Sequence, residues 1–396
     1  METFVYKDKK RLRCGYTTGT CAALAAKAAV TFLMTGDWAK RAGIMTPKGE
    51  WIEAEILECR SGKDHSGKWA ECAVKKDGGD DYDVTDGLLI FAKAELTGTT
   101  NAGNGFPSVE IDGGEGVGRV TKPGLDQPPG AAAINSVPRK MIAAAVSEVL
   151  EECGSTGRVR ITISVPRGNE AAKKTFNPVL GITGGISILG TSGIVEPMSE
   201  EALTETIRAH LKVLRAEGRK YAAAVPGNMG AVFLKDLVSR WPEGDSSLPV
   251  VACSNFIGKT IDMAGELDFS GIVLAGHLGK LVKLGNGIMN THSREGDGRM
   301  DTLLSCALTA GAGSDGLRRV QKANTTEDAL SVLAGEGVLE ETIRELCRRI
   351  EIYVSRRASD TLDTGVILFD AGGRVLGTTD GAMELLKAAA LRDPAV

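Results

Sequence analysis

Tyr221-Ala-Ala-Ala-Val-Pro-Gly-Asn-Met-Gly230 reads as a short buried strand that breaks at Pro226 and Gly227 and leads into an amphipathic helix near 231–240. The pattern recurs. Short apolar runs at 159–165, 250–254 and 271–275 alternate with helical patterns near 200–217, 260–269 and 300–311. Strands separated by helices of that length build a parallel sheet with helices on its faces. The helix at 200–217 is the clearest, because Leu203, Ile207, Leu211 and Leu214 form one apolar stripe and Ser199 stands ready to cap it. His210 lies near that stripe and reads as packing. Further helices over 326–357 and a hairpin pairing 365–369 with 374–377 close the chain.

In such a sheet the ligand crevice lies beyond the carboxyl ends of the strands. Those ends carry four polar, glycine-containing loops: 166–169, 226–230, 254–258 and 276–280.

Before residue 158 the pattern differs. Two long helices are predicted, at 20–34 and 138–152, with alternating stretches at 50–59 and 69–75 between them. A Gly/Pro-rich run over 97–130 is too irregular for regular elements, and loops of that length are usually functional. Cys153-Gly-Ser-Thr-Gly157 reads as a boundary. The expected fold is therefore mixed α/β and α+β in two domains. An N-terminal α+β domain (1–157) carries long Gly/Pro-rich loops and binds substrate, and a C-terminal α/β domain (158–396) has a mostly parallel sheet and a Gly-rich cofactor crevice.

Composition narrows the function. The 396 residues are 42% hydrophobic and 25% charged, as in ordinary globular proteins, with a net charge of −4 that gives a nucleic-acid partner little support. The N-terminus lacks the apolar core of a signal peptide, no run of about 18 apolar residues spans a bilayer, and the cytoplasm is the expected compartment. Eight dispersed cysteines without a Cys-x-x-Cys pair fit a reducing environment. No two of the four histidines have His-x-x-x-His spacing, so no protein-bound metal is expected.

Several motifs carry chemistry. Arg13-Cys-Gly-Tyr-Thr-Thr-Gly-Thr20 runs into an alanine-rich helix. Thr17, Thr18 and Thr20 either cap that helix or, with its dipole, receive an anion. Gly185 to Ser192 has P-loop glycine spacing, but Thr191 replaces the lysine, which argues against a nucleoside triphosphate. The segment is either a bend that packs strand on helix or, with Gly184, Gly185, Gly190, Thr191 and Glu196, a cradle for a neutral or cationic nucleoside such as S-adenosylmethionine. Gly113–Gly118 lacks the third glycine of a dinucleotide fingerprint, and Asp81, Asp83 and Asp86 lack the calcium-loop glycine, so they read as an acidic turn. Lys122, Arg139, Lys280 and Lys283 sit in or beside Gly/Pro-rich segments, where a carboxylate-bearing ligand could reach them. His277 and His292 are suited to proton transfer near neutral pH, or to hydrogen bonding a carboxylate or their own loop.

The chain also resembles a known family. The 13–30 segment, Gly79-Asp-Asp-Tyr-Asp-Val-Thr-Asp-Gly87, Val120-Thr-Lys-Pro-Gly-Leu125, Ala133-Ile-Asn-Ser-Val-Pro-Arg-Lys-Met-Ile142, residues 181–199 and Gly276-His-Leu-Gly-Lys-Leu-Val-Lys-Leu284 resemble, in order, the CbiD family of cobalamin biosynthesis. Tyr82 and Asp86 depart from it, standing where the family more usually has Pro and His. The resemblance implies an S-adenosylmethionine-dependent methyltransferase acting on C1 of cobalt-precorrin-5B, a cobalt-bearing tetrapyrrole, to give cobalt-precorrin-6A. A corrinoid carrier without chemistry is the alternative. On this reading Gly184, Gly185, Gly190, Thr191, Glu196, Gly227 and Asn228 take the methyl donor. Thr17, Thr18, Thr20, Lys122, Arg139, Lys280 and Lys283 take the tetrapyrrole, and His277 or His292 takes the proton. Neighbouring pathway enzymes stay open as partners, as does the oligomeric state.

Overall fold

The computed structural model describes residues 3–7, 9–64, 67–99, 108–241 and 248–391, which leaves His65 and part of the 97–130 run outside. The chain divides into two compact units, Met1–Glu200 and Glu201–Val396.

The first unit is built around α1 (Thr18–Thr35), buried without interruption from Thr18 to Ala26. Alanine is the best helix former, and its small side chain lets neighbouring backbone approach from all sides. Gly36, at φ 82°, ends the helix with the left-handed turn that favours glycine. Although α1 is apolar and long enough to cross a membrane, 67% of that window is buried inside the protein, which marks it as a core helix.

Around α1 stand β1 (Leu57–Asp64), β2 (Gly67–Lys75), β3 (Leu89–Thr99), β4 (Ser108–Gly113), α2 (Ser136–Glu152) and β5 (Gly157–Ser164). The sheet order is β1-β2-β3-β5-β4, with only the β5/β4 pair parallel. Helix α1 packs on β2, β3 and α2, and Leu24, Val30, Ile90, Ile142, Ile161 and Ile163 fill the core between them. Each such side chain contributes roughly 1.5–3 kcal/mol on burial.

Two sequence expectations change here. The strand expected at 159–165 belongs to this sheet and not to the parallel one, so the boundary falls at Glu200 instead of 157. Its outward Arg158 and Arg160 alternate with buried Val159 and Ile161, the mark of a sheet covered on one face. The 97–130 run is also less irregular than expected, since it contains β4 at the sheet edge.

The second unit comprises α3 (Glu200–Ala216), β6 (Tyr221–Val225), α4 (Asn228–Ser239), β7 (Val250–Ala252), α5 (Ile257–Glu266), β8 (Gly271–His277), α6 (Thr326–Gly335), α7 (Leu339–Ala358), β9 (Asp363–Phe369), β10 (Val375–Thr378) and α8 (Ala382–Ala390). Helices Arg299–Thr309 and Ser314–Gln321 lie between β8 and α6. The order is β7-β6-β8-β9-β10, with the first four strands parallel and β10 returning as a hairpin.

Alternate residues of each strand feed two cores, so both faces are covered. Ala222, Ala224, Ile272, Leu274, Val366 and Leu368 pack with α3, α5 and α7, while Ala223, Val225, Val273, Ala275, Ile367 and Phe369 pack with α4 and α8. The chain leaves β6 toward β7 and returns to β8 on the other side of β6. That reversal is a topological switch point, the position beyond the carboxyl ends of β6 and β8 where such sheets take their ligands.

Candidate active site

Three loops meet at the carboxyl edge of the second sheet. The loop after β7 carries Asn255, β8 ends at His277 and runs into a one-turn helix, Leu278–Leu281, that carries Lys280, and a long segment through Thr291 and His292 folds back over them. Asn255 joins all three. Its Oδ1 accepts from Lys280 Nζ at 2.8 Å and from Thr291 Oγ1 at 3.4 Å, and its carbonyl accepts from the Thr291 N–H. Ser254, just before it, takes a left-handed φ of 52°, which turns the loop sharply off the strand.

Lys280 is half-buried, and burial pulls its ammonium below the ordinary lysine value, opposed by Cys253 and aided by Lys283. It ends on a neutral oxygen, so its charge stays available to a ligand carboxylate. Lys283 is different. It is 4% exposed and donates to the carbonyls of Thr291 and Gly296, at 3.2 and 2.8 Å. That makes it the internal anchor of the 290–298 segment, where a ligand-facing role was expected. Arg299 holds Asp297 through two hydrogen bonds, which keep the Asp297 carboxyl below the usual range and raise Arg299 in turn.

His277 ends β8 with one ring nitrogen hydrogen-bonded and the other close to a carboxylate. Nδ1 accepts from the Gly279 N–H at 3.1 Å, and Nε2 lies 2.8 Å from Glu327 Oε1, in the first turn of α6. The second contact is close but poorly aligned. Both atoms are buried and neither has a hydrogen-bond partner among the described residues. His292 is half-buried, and its Nδ1 accepts from the Arg294 N–H at 3.2 Å.

Across the switch point, Gly227 and Asn228 are exposed at the start of α4, beside exposed Met229. A Cβ on Gly227 would meet nothing within 4 Å, so backbone faces open space. Three residues later, Gly230 is closed in, with Val225 at 2.7 Å from its would-be Cβ, and so seats α4 on β6.

The remaining candidates lie in the first unit. The loop 166–169, expected at the edge of the parallel sheet, and the 184–196 cradle, expected in the C-terminal domain, belong to that unit instead. The start of α1 is filled by its own chain. Thr18 Oγ1 accepts from the Leu189 N–H at 2.9 Å and donates to the Leu189 carbonyl at 3.2 Å. Thr20 Oγ1 donates to the Gly193 carbonyl at 2.7 Å, and Thr17 Oγ1 caps the Thr20 N–H. The N–H groups of Gly19 and Thr17 go to the carbonyls of Leu189 and Gly193. All three threonines are at least 95% buried. Of the two sequence readings the geometry supports the capped helix, and the donors expected for an anion are spent on the 187–193 segment.

The glycines of that segment serve close crossings. A Cβ on Gly185 would collide with the Gly116 carbonyl, and one on Gly190, at φ 136°, with Thr17. Gly184 and Thr191 are exposed, and Glu196 pairs with Lys48 at 2.6 Å. Arg139 donates to the carbonyls of Ile134 and Ile111 at 2.8 Å each, and Lys122 packs against Gly181.

The acidic turn is a structural knot. Buried Lys76 donates to Asp83 at 2.7 Å, Arg13 to Asp77 at 2.8 Å, and the backbone of Gly78 to Asp86. A groove of about 410 Å³ between α7 and β10, lined by Arg344, Cys347 and Leu376, shares no residue with the crevice.

Asn255 and Glu327 were missed by sequence reasoning. Asn255 lay inside a loop already placed at the sheet edge. Glu327 sits within the capping box formed by Thr325 and Asp328, a signal that marks a helix start but not what the helix faces.

The chain matches two family models, CbiD over residues 5–197 and "CbiD, C-terminal domain" over residues 290–390. Among curated proteins, the cobalt-precorrin-5B C(1)-methyltransferase of Ruminiclostridium cellulolyticum is 42% identical over 393 residues, 98% of each chain. That of Thermoanaerobacter sp. is 47% identical over 338 residues, covering 85% of this chain and 87% of its own. A crystal structure of the cobalamin biosynthesis protein (cbiD) from Archaeoglobus fulgidus is 23% identical, covers 84% of this chain and 88% of its own, and has a TM-score of 0.36.

Proposed function

The chain belongs to the CbiD family, and on that premise we propose that it transfers a methyl group from S-adenosylmethionine to C1 of cobalt-precorrin-5B, giving cobalt-precorrin-6A and S-adenosylhomocysteine. One observation carries the reading: a relative bearing that enzyme name matches the chain at 42% identity over 98% of its length. The cobalt arrives inside the substrate, and the cytoplasm is the compartment.

S-adenosylmethionine, when bound, supplies an electrophilic methyl on a sulfonium. The Pro226–Asn228 turn, with Gly227 backbone open, gives its nucleoside a seat at the switch point. Lys280 attracts peripheral carboxylates of the macrocycle. The new C1–CH₃ bond takes an electron pair from the macrocycle, the S–CH₃ pair stays on sulfur, and one proton leaves the ring system. Alignment supplies most of the rate, because holding two reactants in line contributes roughly 7–11 kcal/mol.

The test is incubation with cobalt-precorrin-5B and methyl-labelled S-adenosylmethionine, followed by mass analysis of the macrocycle. Label in the macrocycle supports the enzyme. Tight binding with no label supports a carrier.

A further inference from the structure

We propose that Glu327 accepts the proton released in methyl transfer and that His277 is its positioning residue. This inference rests on the methyltransferase reading and deepens it. The geometry turns on the two nitrogens of one ring. A neutral imidazole has one N–H and one lone pair. The lone pair at Nδ1 is spent on the Gly279 N–H at 3.1 Å, so the ring proton sits on Nε2, facing Glu327 Oε1 at 2.8 Å. No lone pair remains on His277 for a substrate proton.

The carboxylate differs. Its Oε1 has no aligned partner among the described residues, Oε2 accepts only a 3.1 Å bond from Thr326 Oγ1, and the side chain is 42% exposed. Lone pairs are left over on a group facing the edge where the loops converge. Arg299, raised first by Asp297, also feels this carboxylate.

The step balances. As the C1–CH₃ bond forms and the S–CH₃ bond breaks, the carboxylate takes H⁺ from the macrocycle. The C–H pair remains in the conjugated ring, and the sulfonium becomes a neutral sulfide. His277 keeps Oε1 turned inward. A buried, poorly aligned contact of this kind is what a carboxylate shows before its partner arrives, since catalytic hydrogen bonds often tighten only in the complex.

The experiment has two arms. In single-turnover methyl transfer, Glu327→Gln should lower the rate by about 10²–10⁴-fold, the usual worth of general base help. Calorimetric affinities for S-adenosylhomocysteine and cobalt-precorrin-5B should hold, and Glu327→Asp should recover part of the rate. His277→Asn, whose side chain can still accept from Gly279, should lower kcat less than Glu327→Gln and leave KM unchanged. In the second arm, nitrogen-15 NMR of the free wild-type protein should find the neutral His277 ring protonated at Nε2.

A Glu327→Gln rate equal to wild type overturns the assignment, as does a ring proton on Nδ1. Wild-type protein that transfers no methyl at all overturns the function as well, and the NMR arm then still reports on the geometry.

Discussion

Replacing Thr18 by valine separates the two readings of the α1 start. The hydroxyl is 96% buried, accepts from the Leu189 N–H at 2.9 Å and donates to its carbonyl at 3.2 Å. Valine keeps most of the shape but leaves that part-buried N–H without its acceptor, which costs about 1–3 kcal/mol. In a unit of about 200 residues each kcal/mol moves the melting midpoint by roughly 2–4 °C, so the expected loss is roughly 2–12 °C. Scanning calorimetry gives the midpoint, and titration calorimetry with cobalt-precorrin-5B gives the affinity. The threonine is a packing device if the midpoint falls and the affinity holds. An unmoved midpoint with weakened binding that is sensitive to salt would refute this and restore an anion site at the helix start.

Three further outcomes follow from single contacts. Asp83→Asn removes the carboxylate that compensates Lys76, which is 2% exposed; the cost should be about 3–5 kcal/mol in urea unfolding, and a loss below about 1 kcal/mol would contradict the buried pair. Arg348 and then Arg349 hold the Glu345 carboxyl down at about 2 from an unfolded value of 4.5. This lowered pKa stabilises the fold above pH 4.5 and ceases to do so as pH falls through about 2, so Glu345→Gln should destabilise at neutral pH and match wild type in strong acid. An equal deficit at all pH values would point to packing instead. Gly227→Val should leave the melting point unchanged, since the new Cβ meets nothing within 4 Å, yet weaken S-adenosylhomocysteine binding measured by calorimetry. Unchanged affinity would move the nucleoside away from the switch point.

Much of the second unit could be read from residue order alone. Strand 221–225 was located to the residue, because an all-apolar run broken by Pro-Gly and followed by a helix has few other solutions. The strand at 159–165 was assigned to the wrong sheet for a physical reason. An apolar run shows that a strand is buried, but only its pairing partners, Thr99 to Phe91 on one side and Ser108 to Gly113 on the other, say where. Strand β9 hid in the same way. It was expected as half of a hairpin, and its second edge pairs in parallel with β8 over seven residues.

The placement of Gly227, His277 and Lys280 at the carboxyl edge of the second sheet was legible, because it follows from the strand ends. Placement was not legible where glycines and threonines meet each other. Gly185 and Gly190 carry the spacing of a ligand cradle, yet what lies against them is the protein's own backbone and Thr17. Lys283 likewise reads as a ligand cation until its two carbonyl partners are seen.

The most direct test is the destination of the methyl carbon. Cobalt-precorrin-5B, carbon-13 methyl-labelled S-adenosylmethionine and stoichiometric protein should yield a macrocycle with one labelled methyl, located at C1 by carbon-13 NMR, and an equal amount of S-adenosylhomocysteine. Recovery of unlabelled macrocycle held by the protein, with the methyl donor intact, would contradict the account and leave a carrier in place of an enzyme.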